Sequence, residues 1–213
     1  AVEAYTCLTK NPLSDAHALL AIELIGQNLL NVVKQPDDAD GRLALAVGAT
    51  LAGAAFSNAM VGMVHTLGHS VGAVCGVPHG TCMAILLPYG LAYNLSEIAG
   101  PLGELLLPLA GAEVYAATPG YAHAYKAIES VHLLNQALHE ATGGRHGRCF
   151  KELKGPDGGP WVPREALAEI VATTRGEASL IYNPVEMDSQ DAGQLLEDAW
   201  EGRPLLQPPL PPL

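Results

Sequence analysis

Apolar residues recur at a helical interval over 16–33, where Ala16, Leu19, Leu20, Ile22, Leu24, Leu29, Leu30 and Val33 form a pattern interrupted by the polar Glu23. Asn11, Pro12 and Ser14 ahead of it are start signals and the polar run 34–41 is a stop, so this part of the chain predicts an amphipathic helix of several turns. The next stretch, 43–64, carries no charged residue and by length alone could span a bilayer. It is rich in Ala, Gly, Ser, Thr and Asn and poor in the Leu, Ile and Phe that favour lipid, which argues against a membrane span. The expectation is instead a helix buried on all sides by other helices and running into His65, with Gly48, Gly53, Ala54, Ala55 and Gly62 allowing close backbone approach. Beyond it the pattern predicts a loop over 76–80, an apolar helix over 81–95 and helical stretches within 121–140. A further helix starts at Pro163 with Glu165 in its first turn, a loop covers 179–184, and a last short helix covers 189–200. No alternating run predicts a strand. The fold class expected is all-α: one helical domain over 1–203 followed by a Pro-rich tail over 204–213.

Composition narrows the function more than the fold. With 22 Asp and Glu against 11 Lys and Arg the net charge is −11, which repels a polyanion and argues against a nucleic-acid partner. A hydrophobic share of 49% is enough to build a core, which excludes disorder as the main state. Only 5% of residues are aromatic, and small residues are prominent, a mixture that suits close-packed helices better than a β-sandwich. Cys7, Cys75, Cys82 and Cys149 are irregularly spaced with no CxxC pair, so they read as reduced thiols of a cytoplasmic protein. Small molecules and protein partners remain.

Chemistry concentrates in one place. His65 and His69 stand at i, i+4, which sets two imidazoles on one helix face, and the turn containing Gly76 and Pro78 can bring His79 back toward them. Such a group can supply nitrogen ligands to a divalent metal, but spacing alone identifies neither the metal nor a reaction. His17, His123, His132, His139 and His146 are scattered and read as surface or structural. Cys75 and Cys82 flank His79 and read as small apolar packing residues. The acidic Asp37, Asp38 and Asp40 read as a solvated loop between helices.

The stretch Gly62-Met63-Val64-His65-Thr66-Leu67-Gly68-His69-Ser70-Val71-Gly72-Ala73, followed by Gly76-Val77-Pro78-His79-Gly80, resembles the histidine signature of the iron-containing (group III) alcohol dehydrogenases, with the spacing His-x3-His-x9-His. Leu86-Leu87-Pro88-Tyr89, Tyr93-Asn94, Ala1-Val2-Glu3-Ala4-Tyr5, Asn11-Pro12-Leu13-Ser14-Asp15 and Ile181-Tyr182-Asn183-Pro184 are similar to other parts of that family's helical domain. The resemblance implies a C-terminal helical bundle of the dehydroquinate synthase-like fold, normally preceded by an α/β domain that binds NAD or NADP. It also implies His65 and His79 as metal ligands, with His69 lining the cleft where substrate and nicotinamide meet. In the family an Asp-x3-His pair supplies two further ligands just before the segment matched here by Ala1. The expectation is therefore that those ligands and the nucleotide domain lie outside this sequence, which has no G-x-G-x-x-G loop, and that the chain alone is inactive.

The function expected is the helical metal-binding part of an NAD(P)-dependent alcohol dehydrogenase, with Fe(II) or Zn(II) as cation and a small alcohol or aldehyde as substrate. Without the nucleotide domain an apolar face is expected to be exposed and to invite self-association, so a homo-oligomer is expected. The alternatives are a zinc-dependent relative of the glycerol dehydrogenase kind and a non-catalytic helical interaction module.

Overall fold

The computed structural model describes residues 1–203. Its helices are α1 (Val2–Thr6), α2 (Pro12–Lys34), α3 (Ala39–Ala59), α4 (Met63–Cys75), α5 (His79–Glu104), α6 (Leu106–Ala117), α7 (His123–Ala141), α8 (Leu167–Thr174) and α9 (Ser189–Glu201), with 3-10 turns between several of them. Among the described residues there is no strand, only an isolated pairing of Lys154 with Pro160. The all-α expectation is met. The tail over 204–213 lies outside the described residues.

Local chemistry accounts for the best-defined ends. Asn11 accepts the amides of Leu13 and Ser14, both at 3.1 Å, while the Ser14 hydroxyl takes the Asn11 amide at 3.0 Å. This reciprocal cap, with Pro12 in the first helical position, starts α2 four residues before its apolar stripe. Asp188 caps α9 in the same way, and Gly202 ends it in the left-handed region. Two helices were not visible in the pattern. Helix α1 has five residues, too few to show a period, and α6 is apolar nearly throughout and kinked at Gly111.

Two apolar clusters form the core. One gathers α4, the first half of α5, Phe150, α8 and α9; the other gathers α1, α2, the end of α3, the second half of α5, α6 and α7. Helix α5 passes through both, contributing Ile85 and Leu86 to the first and Leu91 and Leu102 to the second. It runs well past the expected 81–95 and absorbs Pro88 and Pro101 within its length.

The charge-free stretch departs from expectation twice. It is not one helix: the chain bends by 107° between α3 and α4. Nor is α3 buried all round, since only Gly41, Gly48, Ala55 and Ala59 are buried while Leu43, Val47 and Phe56 are exposed. The small residues recur along one stripe and let α2 approach so closely that a Cβ on Gly48 would stand 2.9 Å from Ile25. Small residues thus report one tight contact, which the sequence pattern cannot distinguish from burial on every face. By length and composition α2 and α5 could each cross a membrane, although 56% of the apolar window of α5 is buried within the protein.

Candidate metal centre

Helix α4 carries His65 and His69 and starts with Gly62, which has no side chain to cap the free amides of the first turn. Those amides are capped from far along the chain. Glu3 Oε1 accepts the Gly62 and Val64 amides at 3.2 and 2.8 Å, and Asn183 Oδ1 accepts the Met63 amide at 3.0 Å. Asn183 is held by a reciprocal amide pair with Asn94 on α5, at 2.8 and 2.9 Å, and donates to the Val185 carbonyl at 2.7 Å. Room for this arrangement requires glycine at position 62, where a Cβ would lie 2.6 Å from Asn183 Oδ1. A cavity of about 10 Å³, on the scale of one water, sits between Glu3, Gly62, Asn94 and Asn183.

Helix α4 ends at Gly76, whose φ of 70° is left-handed and whose amide returns to the Gly72 carbonyl at 2.9 Å. Pro78 then opens α5 with His79 as its first residue. This turn folds His79 back over α4. The His65 and His79 ring centres are 5.3 Å apart, His69 and His79 5.3 Å, and His65 and His69 5.6 Å. Gly68, between the two α4 histidines, lets α5 in close: a Cβ there would meet Met83 at 1.9 Å and Cys82 at 3.3 Å.

Each ring has a distinct setting. His65 is partly buried, and its Nδ1 lies against Glu3 Oε2. His69 is more open, with Nδ1 3.2 Å from Glu177 Oε2. His79 is exposed at the rim, yet partial loss of water and then the charges its neighbours His65 and His69 would carry hold its pKa below the ordinary 6.5. That favours a neutral ring with a free lone pair. A tetrahedral cation with nitrogen ligands at about 2.0–2.1 Å would place two imidazole centres about 5 Å apart, so the spacing fits a shared cation for any pair of these rings. Among the described residues, however, no set of three or more His, Cys, Asp or Glu is arranged to hold a metal. The chain brings three imidazoles to mutual ligand spacing, not a closed cage.

The other candidates fall elsewhere. Cys82 is fully buried in the apolar cluster beneath the site, and the cysteines are free thiols. His139 Nδ1 donates to the His146 carbonyl at 2.7 Å and the His146 ring Nε2 lies 3.1 Å from Asn135 Oδ1, so both are structural groups at the end of α7. Asp38 caps α3 through the Gly41 amide. Sequence reasoning assigned no role to Glu3, Asn94, Asn183 or Glu177. Glu3, Asn94 and Asn183 lie in segments that resemble the family's helical domain, and Glu3 is the single acid in the run 1–9, but nothing local marks what each meets, because their partners lie about 60 or more positions away; Glu177 carries no signal at all.

Comparison with known proteins bears on what this face belongs to. The family described as "Fe-containing alcohol dehydrogenase family, C-terminal" matches residues 1–200. Alcohol dehydrogenase 4 of Saccharomyces cerevisiae is 30% identical over 202 residues, 94% of this chain and 47% of its own length. The 1,3-propanediol dehydrogenase of Klebsiella pneumoniae is 44% identical over 111 residues, covering 49% of this chain and 29% of its own. A crystal structure of 1,3-propanediol oxidoreductase superposes with a TM-score of 0.80 at 26% identity, covering 93% of this chain and 48% of that one. The chain thus spans about half the length of the yeast protein and of the crystal structure it matches.

Proposed function

Because the chain belongs to the Fe-containing alcohol dehydrogenase family, we propose that it is the helical metal-binding portion of an NAD(P)-dependent alcohol dehydrogenase interconverting small alcohols and aldehydes by metal-assisted hydride transfer. The observation that carries this reading is the 5.3 Å approach of His65 and His79 on an open face. Relatives named for alcohol and 1,3-propanediol support short alcohols as the substrate class.

His65 and His79 would hold the cation, Fe(II) or Zn(II), for which neutral imidazoles are suitable donors. When bound, that ion supplies Lewis acidity toward the alcohol or aldehyde oxygen. As the family resemblance implies, an Asp and a His outside this sequence complete the ligand set, and the nicotinamide is bound mainly by a preceding domain. The chain's own contribution is to fix two imidazoles in register on α4 and α5. His69, one helical turn beyond His65 and hydrogen-bonded to Glu177, would take the alcohol proton and pass it to solvent.

The test is made on the full-length protein. His65→Ala and His79→Ala are each expected to lower Zn(II) or Fe(II) affinity by more than about 100-fold, and His69→Ala to keep the metal but lose about 10²–10⁴-fold in kcat. Metal content indifferent to both ligand substitutions would overturn the reading.

A further inference from the structure

Glu3 is the one buried acidic or basic side chain among the described residues, and its two oxygens do different work. Oε1 caps α4 by accepting the Gly62 and Val64 amides. Oε2 faces His65 Nδ1. Capping alone does not require a charge: immediately beside it, Asn183 serves the Met63 amide with a neutral carboxamide oxygen. Burying a carboxylate is costly, so the fold surrounds this one with three donors, two of them backbone and fixed. As a carboxylate, Oε2 is an acceptor only, and the ring nitrogen it meets then donates.

We propose, resting on the reading of His65 as a ligand, that Glu3 is a positioning residue that fixes His65 as the Nδ1–H tautomer and so leaves its Nε2 lone pair for the cation. The same carboxylate orients the ring and anchors the first turn of the helix that carries it. Ring geometry and helix start are thereby one device, built from residues 59–62 positions apart in the chain. Outer partners of this kind hold a ligand imidazole in the tautomer and orientation that the metal needs.

Glu3→Gln separates the two roles. Gln keeps an oxygen for the Gly62 and Val64 amides but turns an NH₂ toward His65, which must then accept at Nδ1 and carry its proton on Nε2. In nitrogen-15 spectra of the metal-free chain, His65 is expected as Nδ1–H, switching to Nε2–H in Glu3→Gln. Zn(II) affinity should fall about 10–100-fold while helicity is retained. A parent chain with His65 already protonated on Nε2 would overturn the proposal, whether or not the variant folds, and so would a Glu3→Gln variant with unchanged tautomer and Zn(II) affinity. If the tautomer switches as expected but Zn(II) binding is indifferent to His65→Ala, control of the ring stands and the metal reading falls.

Discussion

Asn183 shows how much of the candidate site depends on single amides. Its oxygen accepts from Met63 and Asn94, and its nitrogen donates to Asn94 and Val185, so both polar atoms of a nearly buried side chain are used. Asn183→Ala would leave the Met63 amide and the Asn94 carboxamide without their protein partners, beside a cavity on the scale of a single water. The expected loss is about 2–4 kcal/mol in urea unfolding, larger than for a typical surface change. Gly62→Ala should weaken the same network from the other side, because its Cβ would displace the Asn183 oxygen. A loss below about 0.5 kcal/mol for both would show that the first turn of α4 is not held from these partners.

The element that decides the geometry of the site is the bend between α3 and α4. Met60 adopts φ 67° and ψ −169°, a conformation suited to glycine, and is the one non-glycine residue with positive φ among the described residues. The turn is secured by its neighbours, as the Cys7 thiol donates to the Ala59 carbonyl at 2.8 Å and the Met60 amide returns to Phe56 at 2.7 Å. Since the Met60 side chain is 43% exposed, its packing only partly offsets the strain. Met60→Gly is therefore expected to stabilise the fold by about 1 kcal/mol, relief of strain exceeding the greater entropy of glycine in the unfolded chain. A lower midpoint of thermal unfolding in Met60→Gly would contradict this. The self-capped starts of α2 and α9 could be read from sequence, whereas the Asp38 cap of α3 was hidden in an acidic run that reads as loop, and α4, capped by residues elsewhere, could not be bounded that way.

For the whole molecule, groups kept neutral by full or partial loss of water set the pH range of stability. Burial raises the Cys82 thiol to about 11 and, with the nearby acids, the Tyr89 and Tyr93 hydroxyls to about 12. An acid whose folded pKa is raised contributes stability below its unfolded value and loses it as pH climbs, so stability should fall from pH 9 toward 12. On the acid side, burial and neighbouring imidazoles hold His79 and His146 below 6.5. The unfolded chain then takes up protons that the folded chain resists, and stability declines as pH drops through 6.5. Thermal midpoints measured across pH should form a plateau between these limits. A midpoint rising between pH 9 and 11 would contradict the assignment.

The sequence by itself determined the helical class, the prominence of small residues suited to close helix contact and the histidine group at 65, 69 and 79, because hydrophobic period, side-chain size and i, i+4 spacing are properties of neighbouring residues. It could not determine that Glu3 and Asn183 meet at the first turn of α4, or that α3 packs on one face alone. Those facts depend on a 107° bend and on contacts spanning up to 120 positions. Tertiary structure decided them, since a buried donor is satisfied by whichever acceptor the packing brings near, however far away it stands in the chain.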